Sequence, residues 1–129
     1  MNPTAAMSAL AVIVASVREG RFGPVVGPLK TAIDSVGREW QAKPVGFVCY
    51  GGLSGGLRAV EQLRVVFAEL HTITIRDTVS FPGARQRFDD HGMPREPDAV
   101  NAAARALLDQ LAWWAHTLQH ARTAHPYGT

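Results

Sequence analysis

Short apolar runs alternate along this chain with stretches whose apolar residues recur every three or four positions. Leu10 to Ala15 is a continuous apolar run and predicts a first strand after a frayed tail at Met1 to Ser8. A loop from Ser16 to Gly23 follows, and Pro24 to Val26 could form one helical turn before Gly27-Pro28 stops it. Leu29, Ala32, Ile33 and Val36 repeat at helical spacing behind Pro28, with Gly37 as the stop. Pro44 to Tyr50 predicts a buried strand and Gly51 to Gly56 a glycine-rich turn. Val60, Leu63, Val66, Phe67 and Leu70 then form one apolar helix face, with Arg58, Glu61, Gln62, Arg64 and Glu69 mostly opposite. Thr72 to Val79 is β-branched and predicts a third strand. Phe81 to Pro97 carries three prolines and two glycines among unpatterned charges, which predicts a long loop. The last helix carries Val100, Ala103, Leu107, Leu111, Trp114 and Leu118, with Asp98 as its cap, and His125 to Thr129 is tail.

Strands alternating with helices predict a parallel sheet with helices packed on it. Buried parallel strands are apolar on both faces, which suits the runs at Leu10 and Pro44. Ligands of such folds bind outside the carboxyl ends of the strands. Ser16–Gly23 and Tyr50–Gly56 both lie there, so these two loops are the first place to look for chemistry.

Composition narrows the classes. The chain of 129 residues has the length of a single domain, 1–129, and its hydrophobic content of 47% is enough for a core. Thirteen Lys+Arg against eleven acids leave a net charge of +2, without a basic stripe, so nucleic acid is not an expected partner. No apolar run approaches the roughly 18 residues of a membrane span, so no membrane association is expected. Met7 to Ala15 lacks preceding Lys or Arg and predicts a strand, not a signal peptide. The one cysteine, Cys49, cannot pair internally; it fits a reducing, cytoplasmic setting and a place in the core.

Two readings stand for each loop. Ser16, Arg18, Gly20 and Arg21 could cradle an anion with N–H groups, a hydroxyl and two cations, or form a surface turn with solvated arginines. Gly51, Gly52, Gly55 and Gly56 around Ser54 could admit a flat ligand to the backbone, with Tyr50 stacking on it, or make a tight strand-to-helix turn, with Tyr50 topping the core. No Gly-Lys-Ser/Thr ending makes this a Walker loop. His116 and His120 have the four-residue spacing of metal ligands, yet no acid or cysteine joins them, which favours solvated histidines and no metal. Asp89-Asp90 reads as a solvated pair. Trp113 and Trp114 are adjacent, so one is expected in the core and the other at the sheet rim or against a partner chain. No catalytic acid–base or nucleophile constellation is visible.

The residues together resemble the NADPH-dependent FMN reductases, a flavodoxin-like family. Val12-Ile13-Val14-Ala15-Ser16-Val17-Arg18-Glu19-Gly20-Arg21 resembles that family's opening strand and phosphate loop. Pro28 to Asp34 resembles one of its helices. Lys43 to Val48, Tyr50-Gly51-Gly52, Ser54-Gly55-Gly56 and Glu61 to Arg64 resemble its next strand, flavin-side loop and helix. The resemblance implies FMN as cofactor, with Ser16, Arg18 and Arg21 on the phosphate and Gly20 permitting the turn. It implies that Tyr50, Gly51, Gly52, Ser54, Gly55 and Gly56 border the isoalloxazine ring. It further implies hydride transfer from NADPH or NADH through the flavin to a small-molecule acceptor such as a quinone, free flavin, azo or metal compound. The cofactor carries that chemistry, so a missing acid–base constellation is expected.

The chain also departs from the family. Phe22 to Val26 joins Gly27-Pro28-Leu29-Lys30 where the family has a long first helix, two further strands and a second flavin-gripping loop. The expected architecture is thus an α/β, flavodoxin-like three-layer α/β/α fold whose parallel sheet is reduced to about three strands, in the order 1-2-3. The two crossover helices should lie on one face and the last helix on the other. An exposed edge on strand one suggests a homodimer or higher homo-oligomer. The alternative to an active flavin oxidoreductase is a non-catalytic shortened remnant acting as an association or anion-binding module.

Overall fold

The computed structural model describes residues 11–16 and 27–128, with residues 11–16, 27 and 28 described by backbone alone. Its elements are β1 (Ala11–Ser16), α1 (Gly27–Asp34), a 3-10 turn (Arg38–Trp40), β2 (Pro44–Gly51), α2 (Leu57–Glu69), β3 (Ile73–Pro82), a one-turn helix α3 (Ala84–Arg87) and α4 (Pro97–Ala124). The three strands form one parallel sheet in the order β1-β2-β3. Parallel neighbours need a crossover between them, and α1 and α2 supply the two crossovers.

Alternation along β2 divides the core between two faces. Val45, Phe47 and Cys49 meet Ile33 of α1 and Ala59, Val60, Leu63 and Phe67 of α2. On the other face Leu107 and Leu111 of α4 pack on Ile75 and Val79 of β3, with Val48 and Phe81 partly buried beside them. Gly46 makes room for this helix: a Cβ there would lie 3.1 Å from Leu107 Cδ1. The result is the three-layer α/β/α arrangement expected from the sequence, helices α1 and α2 on one side and α4 on the other.

β3 is longer and less regular than its β-branched run predicts. Val45 pairs with Thr74 but Phe47 pairs with Thr78, so β3 carries two more residues than β2 across this interval. The even insertion keeps Thr74 and Thr78 on one face and Ile75 and Val79 on the other. It also leaves carbonyls outside the ladder, and Arg64 of α2 takes them: Nη1 donates to Ile75 O at 2.7 Å, and Nη2 to Arg76 O at 3.0 Å and Thr78 Oγ1 at 3.1 Å. Its guanidinium lies 5.2 Å from the Phe47 ring centroid.

Several local expectations are corrected. α1 takes in Gly27 and Pro28 and ends at Asp34, short of Val36. The single turn expected at Pro24 to Val26 lies outside the described residues. The long loop after Phe81 is organised: β3 runs on to Pro82, α3 follows, and Phe88 bridges Pro94. Asp89 is not simply solvated, because Oδ1 accepts the N–H groups of His91 at 2.8 Å and Met93 at 2.9 Å. Asp98 sits in the first turn of α4 instead of capping it, with Glu96 at the N-cap making no side-chain cap bond. Neither tryptophan enters the core: Trp113 is 61% and Trp114 36% exposed, edge-to-face at 5.2 Å, while Ala115 takes the buried position. The buried stripe is thus Leu107, Leu111 and Ala115, four residues apart, and a tryptophan at 114 falls on its flank. The tail after α4 folds back, with Tyr127 Oη 2.9 Å from His71 Nδ1.

Candidate functional site at the carboxyl rim

The three strands end together. Ser16 is the register partner of Tyr50, Tyr50 of Phe81, and Gly51 of Pro82. Neighbouring strands lie about 5 Å apart, so the loop leaving β1 starts one strand spacing from the loop leaving β2. Of the residues that could hold a phosphate, Ser16 closes β1, and Arg18, Gly20 and Arg21 lie outside the described residues.

The turn between β2 and α2 is fixed from within. Gly55 and Gly56 both have positive φ, +58° and +85°. A Cβ on Gly56 would lie 2.9 Å from Cys49 Cβ and 2.9 Å from the Tyr50 carbonyl oxygen. On Gly55 it would strike the Ser80 hydroxyl and come within 2.9 Å of Pro82 N. Two of the four glycines thus pack the turn against the ends of β2 and β3, whatever else the loop does. Two bonds tie the loop to β3: Ser80 Oγ donates to Gly55 O at 2.9 Å, and Gly83 N–H donates to Gly52 O at 2.8 Å.

What remains on the open side is Tyr50, Gly52, Leu53 and Ser54. Tyr50 is 39% exposed and Leu53 fully so. Ser54 is half-buried, and its hydroxyl makes no hydrogen bond among the described residues. A flat ring with polar atoms along one edge suits this set: backbone N–H groups and a hydroxyl for the edge, a phenol and a leucine for the faces. Cys49, one residue before the rim, is buried; burial pushes its thiol up, and the nearby Ser80 hydroxyl pulls the other way. A buried, protonated thiol is a core residue and not a nucleophile.

Elsewhere the chemistry is sparse. His116 and His120 are exposed on α4, and among the described residues no group of three or more His, Cys, Asp or Glu could hold a metal ion. No helix among them is long and apolar enough to cross a membrane. The contributions of Ser80 and Gly83 were not foreseen from the sequence. Their signal is faint, a serine and a glycine at the end of a strand that seemed to stop earlier.

A family model described as NADPH-dependent FMN reductase matches residues 21–86, about half of the chain. No curated protein matches it. The matched stretch begins at Arg21 and takes in α1, β2, the glycine turn, α2, β3 and most of α3. Tyr50 to Gly56 therefore lie inside it, and Ser16, Arg18 and Gly20 before it.

Proposed function

The chain belongs to the NADPH-dependent FMN reductase family, and from that premise we propose that it binds FMN at the carboxyl rim and works as an NAD(P)H-dependent flavin oxidoreductase. FMN, when bound, supplies hydride chemistry between NAD(P)H and a small acceptor, such as a quinone, free flavin, azo or metal compound. The protein's own part is to bind, orient and shield. Gly52 and Ser54 would meet the polar edge of the ring, Tyr50 would lie against its face, and Gly51, Gly55 and Gly56, buried at the strand ends, would hold that turn on the sheet. Ser16, Arg18 and Arg21 would take the phosphate, with Gly20 giving the loop its bend. The observation that carries this reading is the glycine turn at the strand ends, one strand spacing from Ser16 and inside the family match.

The strand order shapes what to expect of affinity. In doubly wound sheets the ligand crevice opens where strand order reverses. Here the order runs β1-β2-β3 in one direction, so the two loops must form the site without that crevice. Quenching of FMN fluorescence on titration with protein tests binding, and NADPH oxidation with FMN supplied then separates an enzyme from a binder. A reducing cytoplasmic setting suits the single buried cysteine.

A second reading is favoured by one observation. β1 is an edge strand with no partner on its outer side among the described residues. Such an edge pairs readily with another chain. A homodimer or higher homo-oligomer without flavin, measured by light scattering after size exclusion, would make the chain a non-catalytic association module. Phosphate binding without flavin would make it an anion-binding one.

A further inference from the structure

A second concave surface lies on the α4 side of the same rim. α4 packs on this sheet face through Leu107 and Leu111, with its first turns beside the end of β3. Val48, Tyr50, Phe81, Ala84, Arg85 and Phe88 line a groove of about 350 Å³. That volume is at the small end of ligand sites, about 300–1,000 Å³, and suits a two-ring molecule better than a dinucleotide. Phe81 and Phe88 meet at 5.1 Å with their planes tilted by 45°, so their rings are set at an angle along one side of the groove. α3 carries two arginines, of which only Arg85 lines this groove. Arg87 is committed, with Nη1 on Glu96 Oε2 at 2.8 Å and Nε on Pro82 O at 3.2 Å. Arg85 lines the wholly apolar groove with its aliphatic stem only, and its exposed side chain has no hydrogen bond or ion pair among the described residues.

We propose that this groove binds a planar aromatic acid, its fused rings against Tyr50, Phe81 and Phe88 and its carboxylate on the Arg85 guanidinium. Aromatic rings pair best in offset or edge-on arrangements, which add to the stabilisation from buried area. A guanidinium takes a carboxylate through two parallel N–H bonds, which fixes the orientation of the rings. The anchoring is local: the Gly83 N–H bond to Gly52 O holds the start of α3 to the glycine turn. The groove shares Tyr50 with the proposed flavin rim, yet its ligand requires no flavin.

The test is a titration of the full chain, without FMN, with 2-naphthoate and its uncharged twin 2-naphthalenemethanol, followed by ligand-observed NMR. The expected result is saturable binding of the acid, about tenfold tighter than the alcohol, as one charge-assisted pair at a half-open site gives. Arg85→Gln should bring the acid down to the alcohol and leave the alcohol unchanged. Phe88→Leu should weaken both to a similar degree. Equal binding of acid and alcohol, an acid preference that survives Arg85→Gln, or no binding of either at millimolar concentration overturns the proposal. So does a parallel weakening of FMN by Arg85→Gln, which would make the groove part of the flavin site. Failure of FMN to bind leaves the naphthoate measurement untouched.

Discussion

Replacing Gly56 with alanine probes how the glycine turn is held on the strand ends. Gly56 stands immediately before α2 with φ +85° and ψ 1°. A side chain in the left-handed region costs roughly 1–2 kcal/mol. The new methyl carbon would also lie 2.9 Å from Cys49 Cβ and 2.9 Å and 3.1 Å from the Tyr50 carbonyl oxygen and amide nitrogen. None of these is the free end of a flexible side chain, so the turn must lift off β2, and overpacking of this kind costs about 1–3 kcal/mol more. Gly83→Ala is the matched control: φ is +59°, but the nearest atom, Gln86 Oε1, is 3.9 Å away, so it carries the backbone strain alone. Gly56→Ala should therefore lose about 2–5 kcal/mol and Gly83→Ala about 1–2 kcal/mol in urea unfolding followed by circular dichroism. At about 4 °C per kcal/mol for a domain of this size, Tm falls by roughly 8–20 °C against roughly 4–8 °C. A loss at Gly56 no larger than at Gly83 would refute the claim that this turn is packed on the strand ends.

Arg64→Met removes the donors to Ile75 O, Arg76 O and Thr78 Oγ1. It should cost about 2–4 kcal/mol in urea unfolding, with Arg64→Lys recovering only part, since an ammonium cannot reproduce the planar fork; an unchanged midpoint contradicts the staple. Leu111→Ala should cost about 2–5 kcal/mol and Trp113→Ala within about 0.5 kcal/mol of nothing, and equal losses would mean that α4 is rotated from the face described. Cys49 should react with a thiol reagent only as fast as the native fold opens. Because burial raises the folded thiol above its ordinary 9.0, the unfolded chain ionises first, so stability falls as pH rises past that value. Rapid labelling of the whole native population would place the thiol at the surface instead.

The layered sheet follows from features plain in the sequence, and its strand order from the family resemblance. Val45, Phe47 and Cys49 alternate with Gly46 and Val48, and Val60, Leu63 and Phe67 recur at helical spacing, so β2 and α2 are written in their own residues. The bulge in β3 is not, because Arg76-Asp77 interrupts the pattern and the compensating group, Arg64, lies twelve residues or so upstream on another element. The organised stretch after Phe81 hides for a similar reason. Its Asx turn at Asp89 and its bridge from Phe88 to Pro94 are short-range bonds without a hydrophobic period. Trp114 misled because residue size suggests burial, whereas the helix places the smaller Ala115 on the buried line. At the rim, the excess of glycine points to a flat ligand when seen alone. Part of that excess is explained by Gly55 and Gly56 clearing the ends of β3 and β2.

The proposed flavin site at the rim is tested most directly by an equilibrium titration of FMN and riboflavin against the full chain, read by flavin fluorescence. The expected result is saturable quenching by micromolar protein, with riboflavin weaker because it lacks the phosphate for which Ser16, Arg18 and Arg21 are proposed. Unquenched FMN at high micromolar protein would contradict it.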